Sequence, residues 1–195
     1  MTGFELSAEN VKAAKDFIAR YPAGREQSAV MPILDLAQRQ NGGWLSEAVI
    51  AHVAGFLDMP AIRVQEVASF YSMYHLKPMG KHVIGVCTTT PCWLRGSAEI
   101  LDTCRKTLGI AVGETTDDGL FTLTEVECLG ACCNAPMLQI DDEYYEDLDA
   151  DSTRNILESL REGHTPKPGS QTGRISSEPA SGLTTLKDSQ KPEAV

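Results

Sequence analysis

Through the first seventy or so residues, apolar positions recur at helical spacing, and each run ends where a helix is poorly continued. Val11, Ala14, Phe17, Ile18 and Tyr21 follow a candidate N-cap at Ser7, and Pro22 ends the run. Ser28 is placed to cap a second helix with Pro32 in its first turn, Ile33, Leu34, Leu36 and Ala37 on or near its apolar face, and Asn41-Gly42-Gly43 as its stop. Ser46 opens a third, carrying Val49, Ile50, Val53, Phe56 and Leu57. Pro60 fits the first turn of a fourth, which bears Ile62, Val67, Phe70 and Tyr71. The pattern predicts a helical subdomain over residues 1–78.

The period changes after the turn-rich stretch Lys77-Pro78-Met79-Gly80. His82 to Val86 reads as a short strand that delivers Cys87 at its end. From about Trp93 a helix is predicted, with Leu94, Ala98, Leu101, Cys104 and Leu108 along one face and Gly109 as its stop. Phe121 to Glu127 reads as a second strand, delivering Cys128, and Met137 to Ile140 as a third, followed by an acidic turn at Asp141-Asp142-Glu143. Asp149 or Asp151 is placed to cap a last helix bearing Ile156, Leu157 and Leu160, up to Gly163. The order β-α-β-β-α predicts an α/β domain over 79–163. Residues 164–195, rich in Pro, Gly, Ser and Thr, bury too little to offset their ordering entropy and are expected as a tail, extended or disordered until a partner holds it.

Composition narrows the function classes. With 42% hydrophobic residues the chain is globular, while no apolar run reaches membrane-spanning length, and Met1 to Glu5 shows neither the basic nor the apolar region of a signal sequence. A soluble protein is expected. The net charge of −10 argues against nucleic acid and leaves protein as the partner class. Six cysteines, all in the second half, would staple little of the first half as disulfides. Metal-ligating thiols in a reducing compartment fit that distribution better.

Two tight pairs carry the chemistry, Cys87-x4-Cys92 and Cys128-x3-Cys132. If the first two strands are joined by a crossover helix they run parallel, and both pairs lie just beyond their carboxyl ends on one edge of the sheet. Thr88-Thr89-Thr90-Pro91, Leu129-Gly130-Ala131 and Asn134-Ala135-Pro136 allow the backbone to wrap closely and aim amides at an anion. A helix beginning near Trp93 would direct its N-terminal amides toward Cys92. Cys104 reads as a small buried hydrophobe, and Cys133 as a neighbour whose side chain diverges from that of Cys132. Four such thiolates suit either zinc or a [2Fe-2S] cluster, and spacing alone does not choose. His75 and His82 as Rieske-type ligands are disfavoured by the four available cysteines. Trp93 and Arg95 beside Cys92 read as packing and surface charge, and Asp117-Asp118 and Asp141 to Asp149 as solvated faces. No Gly-x-Gly-x-x-Gly fingerprint or other flavin or nicotinamide site is found.

The motif text itself resembles the small [2Fe-2S] subunits of respiratory complex I, NADH:ubiquinone oxidoreductase. The similarity rests on Tyr21-Pro22, Arg25 and Ser28 to Leu36, then Gly42-Gly43-Trp44-Leu45 and Val67-Ala68-Ser69-Phe70-Tyr71. It continues through Val86-Cys87-Thr88-Thr89-Thr90-Pro91-Cys92-Trp93-Leu94-Arg95-Gly96, Glu127-Cys128-Leu129-Gly130-Ala131-Cys132 and Asn134-Ala135-Pro136. In the tail, Lys167-Pro168-Gly169, Gly173-Arg174 and Glu178 to Thr184 also look like the family's C-terminal extension, which runs over a neighbouring subunit. Cys133 departs from the family's usual apolar residue. The resemblance implies a thioredoxin-like fold behind a helical half, and one [2Fe-2S] cluster on Cys87, Cys92, Cys128 and Cys132. It implies that FMN and NADH sit on a partner subunit, with a large iron-sulfur subunit as a second neighbour. The complex would lie on the cytoplasmic side of a bacterial inner membrane, or the matrix side in mitochondria. The equivalent subunit of an NAD-linked hydrogenase or formate dehydrogenase would use the same fold and ligands, and a zinc-stabilised interaction module is the remaining alternative.

Overall fold

Ser7 and Ser46 cap helices where their positions predict. The Ser7 hydroxyl accepts from Asn10 N–H to start α1 (Ala8–Ile18), and Ser46 accepts from Val49 N–H to start α3 (Glu47–Phe56). The computed structural model describes residues 3–182, 184 and 185. It divides into two units, Met1–Lys81 and His82–Val195, close to the predicted joint.

Elsewhere in the first unit the structure departs from the periodicity. Ser28 lies inside a 3₁₀ turn (Glu26–Ala29) and caps nothing, and α2 (Val30–Gln40) starts directly after it. Pro60 is the N-cap of α4 (Ala61–Phe70), one position ahead of the first turn. That helix turns Val64 and Ala68 inward, while Ile62 and Phe70 face outward, with Phe70 81% exposed. A four-residue spacing fits Val64 and Ala68 as well as it fits the bulkier residues, and size alone misleads. The core of this unit is built from Ala14, Ile33, Leu34, Val49, Val53 and Val64. Buried Gln38 has both ends of its amide satisfied, by Met73 C=O and His75 N–H.

The second unit is built on β1 (His82–Cys87) and β2 (Phe121–Val126), which pair in parallel from His82 opposite Phe121 to Cys87 opposite Val126. Between them the predicted single helix is two. A short α5 (Thr90–Leu94) is followed by α6 (Ser97–Leu108), and the break falls at Gly96, whose φ of 97° is open to glycine at little cost. Cys92 is therefore inside α5 and not ahead of a helix N-terminus, which corrects the expectation that helix amides aim at it. β3 (Leu138–Ile140) runs antiparallel beside β1.

The acidic turn after β3 is shorter than predicted. Asp141 adopts a left-handed φ of 54°, and the chain returns at once as β4 (Glu143–Glu146), antiparallel to β3. Tyr145 is buried in that strand between an exposed Glu143 and a half-buried Glu146, so net charge conceals a strand. The order is β-α-α-β-β-β-α, with α7 (Ala150–Arg161) last before the C-terminal segment. Asp149 caps α7 in a reciprocal box with Ser152. Asp149→Ala is expected to lower stability by about 1 kcal/mol in urea unfolding, with the site unchanged.

Residues beyond Gly163 do not form a separate tail at first. Gly169–Ser170 add a fifth strand, β5, parallel to β4, giving the sheet order β2-β1-β3-β4-β5. Backbone pairing and side-chain bonds to Asp147 and Asn134, described below, supply the ordering that sparse apolar residues could not. Leu183 and residues 186–195 of the predicted tail lie outside the described residues. The second core joins Ile84, Phe121, Leu123 and Leu138 of the sheet to Ile100 and Cys104 of α6 and to Leu157 of α7. Among the described residues no helix is long and apolar enough to cross a membrane.

Candidate metal centre

Parallel register places the two cysteine segments. Cys87 ends β1 opposite Val126, and Cys128 follows β2 after one further residue, so both loops leave the same edge of the sheet. Cys92 is carried back to that edge by α5, and Cys132 opens a 3₁₀ turn, Cys132–Asn134. Gly130, at φ 89°, makes the reversal between Cys128 and Cys132.

The thiols meet as two pairs. Cys128 and Cys132 have their sulfurs 3.3 Å apart, and Cys87 and Cys92 shift each other's protonation. Two thiolates on one tetrahedral metal, with metal–sulfur bonds of about 2.3 Å, would lie roughly 3.8 Å apart, so small side-chain movements suffice to accept a metal at the second pair. The pairs also sense each other, since Cys87 and Cys92 both act electrostatically on, or are acted on by, Cys132. Among the described residues no group of three or more His, Cys, Asp or Glu side chains closes around a single metal-ion position.

Burial divides the four. Cys87 and Cys92 are each 1% exposed and pack with Ala135 and Met137, whereas Cys128 and Cys132 face solvent. Burial pushes the Cys87 thiol up, but hydrogen bonds from the Thr89 side chain and backbone, from Cys92 and from Leu129 N–H outweigh it and leave the pKa lowered. Burial and then Cys87 push Cys92 up to about 12. Gly130 N–H, followed by Cys132, lowers Cys128, and Cys128 in turn raises Cys132. Each pair thus holds one thiol favoured as thiolate and one that keeps its proton. That is the behaviour of two neighbouring thiols sharing one proton, with burial adding to the effect at Cys92, and a cation bound between them would displace that proton. Backbone N–H groups of Thr89, Leu129, Gly130 and Met137 all address sulfur, a donor set that suits an anionic iron–sulfur cluster and stabilises its reduced form.

Of the other sequence candidates, Cys104 and His82 lie away from this edge. Cys104 is fully buried in the second core, its thiol pushed up to about 12 by burial. His82 sits at the opposite end of β1 from Cys87, about 17 Å away along a six-residue strand, and bonds Asp141. His75 belongs to the first unit. Trp93 and Leu94 are exposed just past Cys92, and Arg95 Nε donates to Ala135 C=O at 3.5 Å, so it braces the loop instead of standing as a free surface charge. Nor is the acidic run a bare solvated face. Asp141 accepts from His82 and Val83, Asp147 binds Arg174, and Asp149 caps α7.

Sequence reasoning overlooks the residues behind the second loop. Tyr144 hydroxyl donates to Leu129 C=O at 3.0 Å, and buried Asn134 donates to Glu146 and to Ser176 C=O, each at 2.8 Å. Arg174 donates to Cys133 C=O at 2.9 Å. Conformity of Gly173-Arg174 to a family tail is the one available signal, and it points to a neighbouring subunit.

The chain is similar to known proteins over most of its length. An NADH-quinone oxidoreductase chain of Rickettsia bellii (strain RML369-C) is 53% identical over 161 residues, spanning 83% of this chain and 96% of the relative. The Dictyostelium discoideum "NADH dehydrogenase [ubiquinone] flavoprotein 2, mitochondrial" is 50% identical over 188 residues, covering 95% of this chain and 75% of that one. Among solved structures, an NAD+-reducing [NiFe]-hydrogenase in the air-oxidized state superposes with a TM-score of 0.59 at 21% identity, over 67% of this chain and only 23% of the hydrogenase chain, a likeness of fold. With the thioredoxin-like [2Fe-2S] ferredoxin model matching residues 14–161, the chain belongs to the thioredoxin-like [2Fe-2S] ferredoxin family.

Proposed function

We propose that this chain is an electron-transfer subunit of the NADH dehydrogenase module of respiratory complex I, binding one [2Fe-2S] cluster through Cys87, Cys92, Cys128 and Cys132. The observation that carries the proposal is the meeting of two thiol pairs at one sheet edge, with four backbone amides turned toward sulfur. It occurs in a chain that aligns with nearly the whole length of its rickettsial NADH-quinone oxidoreductase relative.

A [2Fe-2S] cluster supplies one-electron transfer. The chain's own residues do the rest. Cys87 and Cys92 anchor the buried side and exclude water, and the amides of Thr89, Leu129, Gly130 and Met137 stabilise negative charge on sulfur. Trp93 and Leu94 give the rim an exposed apolar surface suited to close on a partner. FMN and NADH sit on that partner, a flavin-binding subunit, and the large iron-sulfur subunit is the second neighbour. The chain is thus part of an enzyme and not catalytic in isolation. We place it on the cytoplasmic face of a bacterial inner membrane or its matrix equivalent, as a peripheral subunit.

The nearer alternative is the corresponding subunit of an NAD-linked hydrogenase or formate dehydrogenase. The hydrogenase likeness supports no more than the common fold, whereas the NADH-quinone oxidoreductase relative shares half its residues with this chain. Purified without oxygen, the protein should be brown and give a rhombic EPR signal after dithionite. Colourless protein holding one zinc would overturn the cluster assignment, and co-purification with a hydrogenase large subunit would overturn the complex I assignment.

A further inference from the structure

We infer that Arg174 is a positioning residue for the second thiol pair: the C-terminal segment fastens the 128–134 loop from behind, and so governs how tightly iron is held there. The inference rests on the ligand assignment proposed above. It uses no group that touches sulfur.

Arg174 spends its guanidinium on three different pieces of chain. Nη2 donates to Cys133 C=O at 2.9 Å, Nε to Asp147 Oδ2 at 2.9 Å, and Nη1 to Glu178 C=O at 2.9 Å, while Nη2 also meets Asp147 Oδ1. Only a planar, multi-donor fork serves all of these at once. Asp147 is held in turn by Ser170 Oγ at 2.6 Å, and its backbone N–H donates to Asn134 C=O at 2.7 Å. Asn134 reaches back to Ser176 C=O through its side chain. Both residues that follow Cys132 are therefore tied down, Cys133 by Arg174 and Asn134 by Asp147 and Ser176.

The Arg174–Asp147 pair that anchors the tie is shielded from water, although the bond to Cys133 C=O is made at an exposed residue. Side chains of Arg174 and Asp147 are only 11% and 10% exposed, so their attraction escapes most of the screening that weakens surface pairs. Cys132 itself is exposed, and its loop meets the buried cluster of Cys87 and Cys92 through the partly buried Leu129 and Ala131. Ahead of Cys132 the loop is held by Leu129 and Ala131 against the core and by the Tyr144 hydroxyl, and after Cys132 it is held by the hydrogen-bonded strap. Contacts made directly to a metal's ligands alter affinity by about ten- to a hundredfold when removed, and a strap fastened one residue beyond a ligand should act at the lower end of that range.

The test uses the full-length chain with its cluster. In Arg174→Ala, iron release to a chelator should accelerate by about tenfold, the EPR g-values should shift, and hydrogen exchange of the 129–134 amides should quicken. Arg174→Lys keeps the charge opposite Asp147 but not the fork. It should recover most of the melting temperature while exchange and iron release stay fast. A role in fold stability alone would make all three follow the melting temperature across both variants, and that result overturns the inference. So does fast exchange with wild-type iron release. If Arg174→Ala does not fold, Arg174→Lys decides by the same criteria. A wild-type chain that takes up no iron would instead sink the functional proposal, and the exchange measurement would still report on the strap.

Discussion

Serine at any one of Cys87, Cys92, Cys128 or Cys132 is expected to abolish or visibly alter the visible absorbance and the reduced EPR signal, while Cys104→Ser and Cys133→Ser keep both. The reason is the ligand's charge. Thiolate is the species that binds metal, and Cys87 and Cys128 are already biased toward it by backbone and side-chain donors, whereas a serine hydroxyl keeps its proton at neutral pH. The four substitutions should differ in what else they do. Cys87→Ser and Cys92→Ser place a hydroxyl among Ala135 and Met137 and should also cost about 1–3 kcal/mol of stability. Cys128→Ser and Cys132→Ser, at exposed positions, should leave far-UV circular dichroism and unfolding of the apoprotein nearly unchanged. Cys104→Ser is the converse control, with a cost in the second core and an intact cluster. An unchanged spectrum in Cys132→Ser beside a lost one in Cys133→Ser would exchange the roles of those neighbours.

How much of the molecule is legible in its sequence depends on the range of the forces involved. Strands β1 and β2, Ser7, Ser46 and Asp149 are set by residues within a few positions, and the sequence displays them directly. The arrival of both cysteine segments at one edge of the sheet is also legible, because parallel pairing of two short apolar runs follows from one crossover. β4 is hidden because it is short, Glu143 and Glu146 end it with charge, and only Tyr145 in it is fully buried. The division of α5 from α6 depends on a left-handed Gly96, and a glycine in a helical run does not announce its φ. Arg174 lies 41 residues from the carbonyl it holds and 27 from its carboxylate. No local pattern encodes such a pairing, so a segment with too few apolar residues to fold by burial reads as a tail when it folds by hydrogen bonds.

Phe121→Ala, which touches no proposed ligand, is expected to destabilise the second unit by about 3–5 kcal/mol. Phe121 is fully buried at the start of β2, among the largest side chains in that core, so the cavity it leaves is bounded by a sheet and a helix layer that cannot readily collapse. The same strand ends two residues before Cys128. Stability and cluster retention should therefore fall together in urea: loss of the visible absorbance should move to lower denaturant in parallel with the circular dichroism of the second unit. A small surface substitution such as Glu158→Gln on α7 should move neither by more than about 0.5 kcal/mol. If the absorbance midpoint stayed at its wild-type value while Phe121→Ala shifted the circular dichroism transition, the cluster would be retained by a locally ordered loop, and the sheet would matter only for bringing the two loops together.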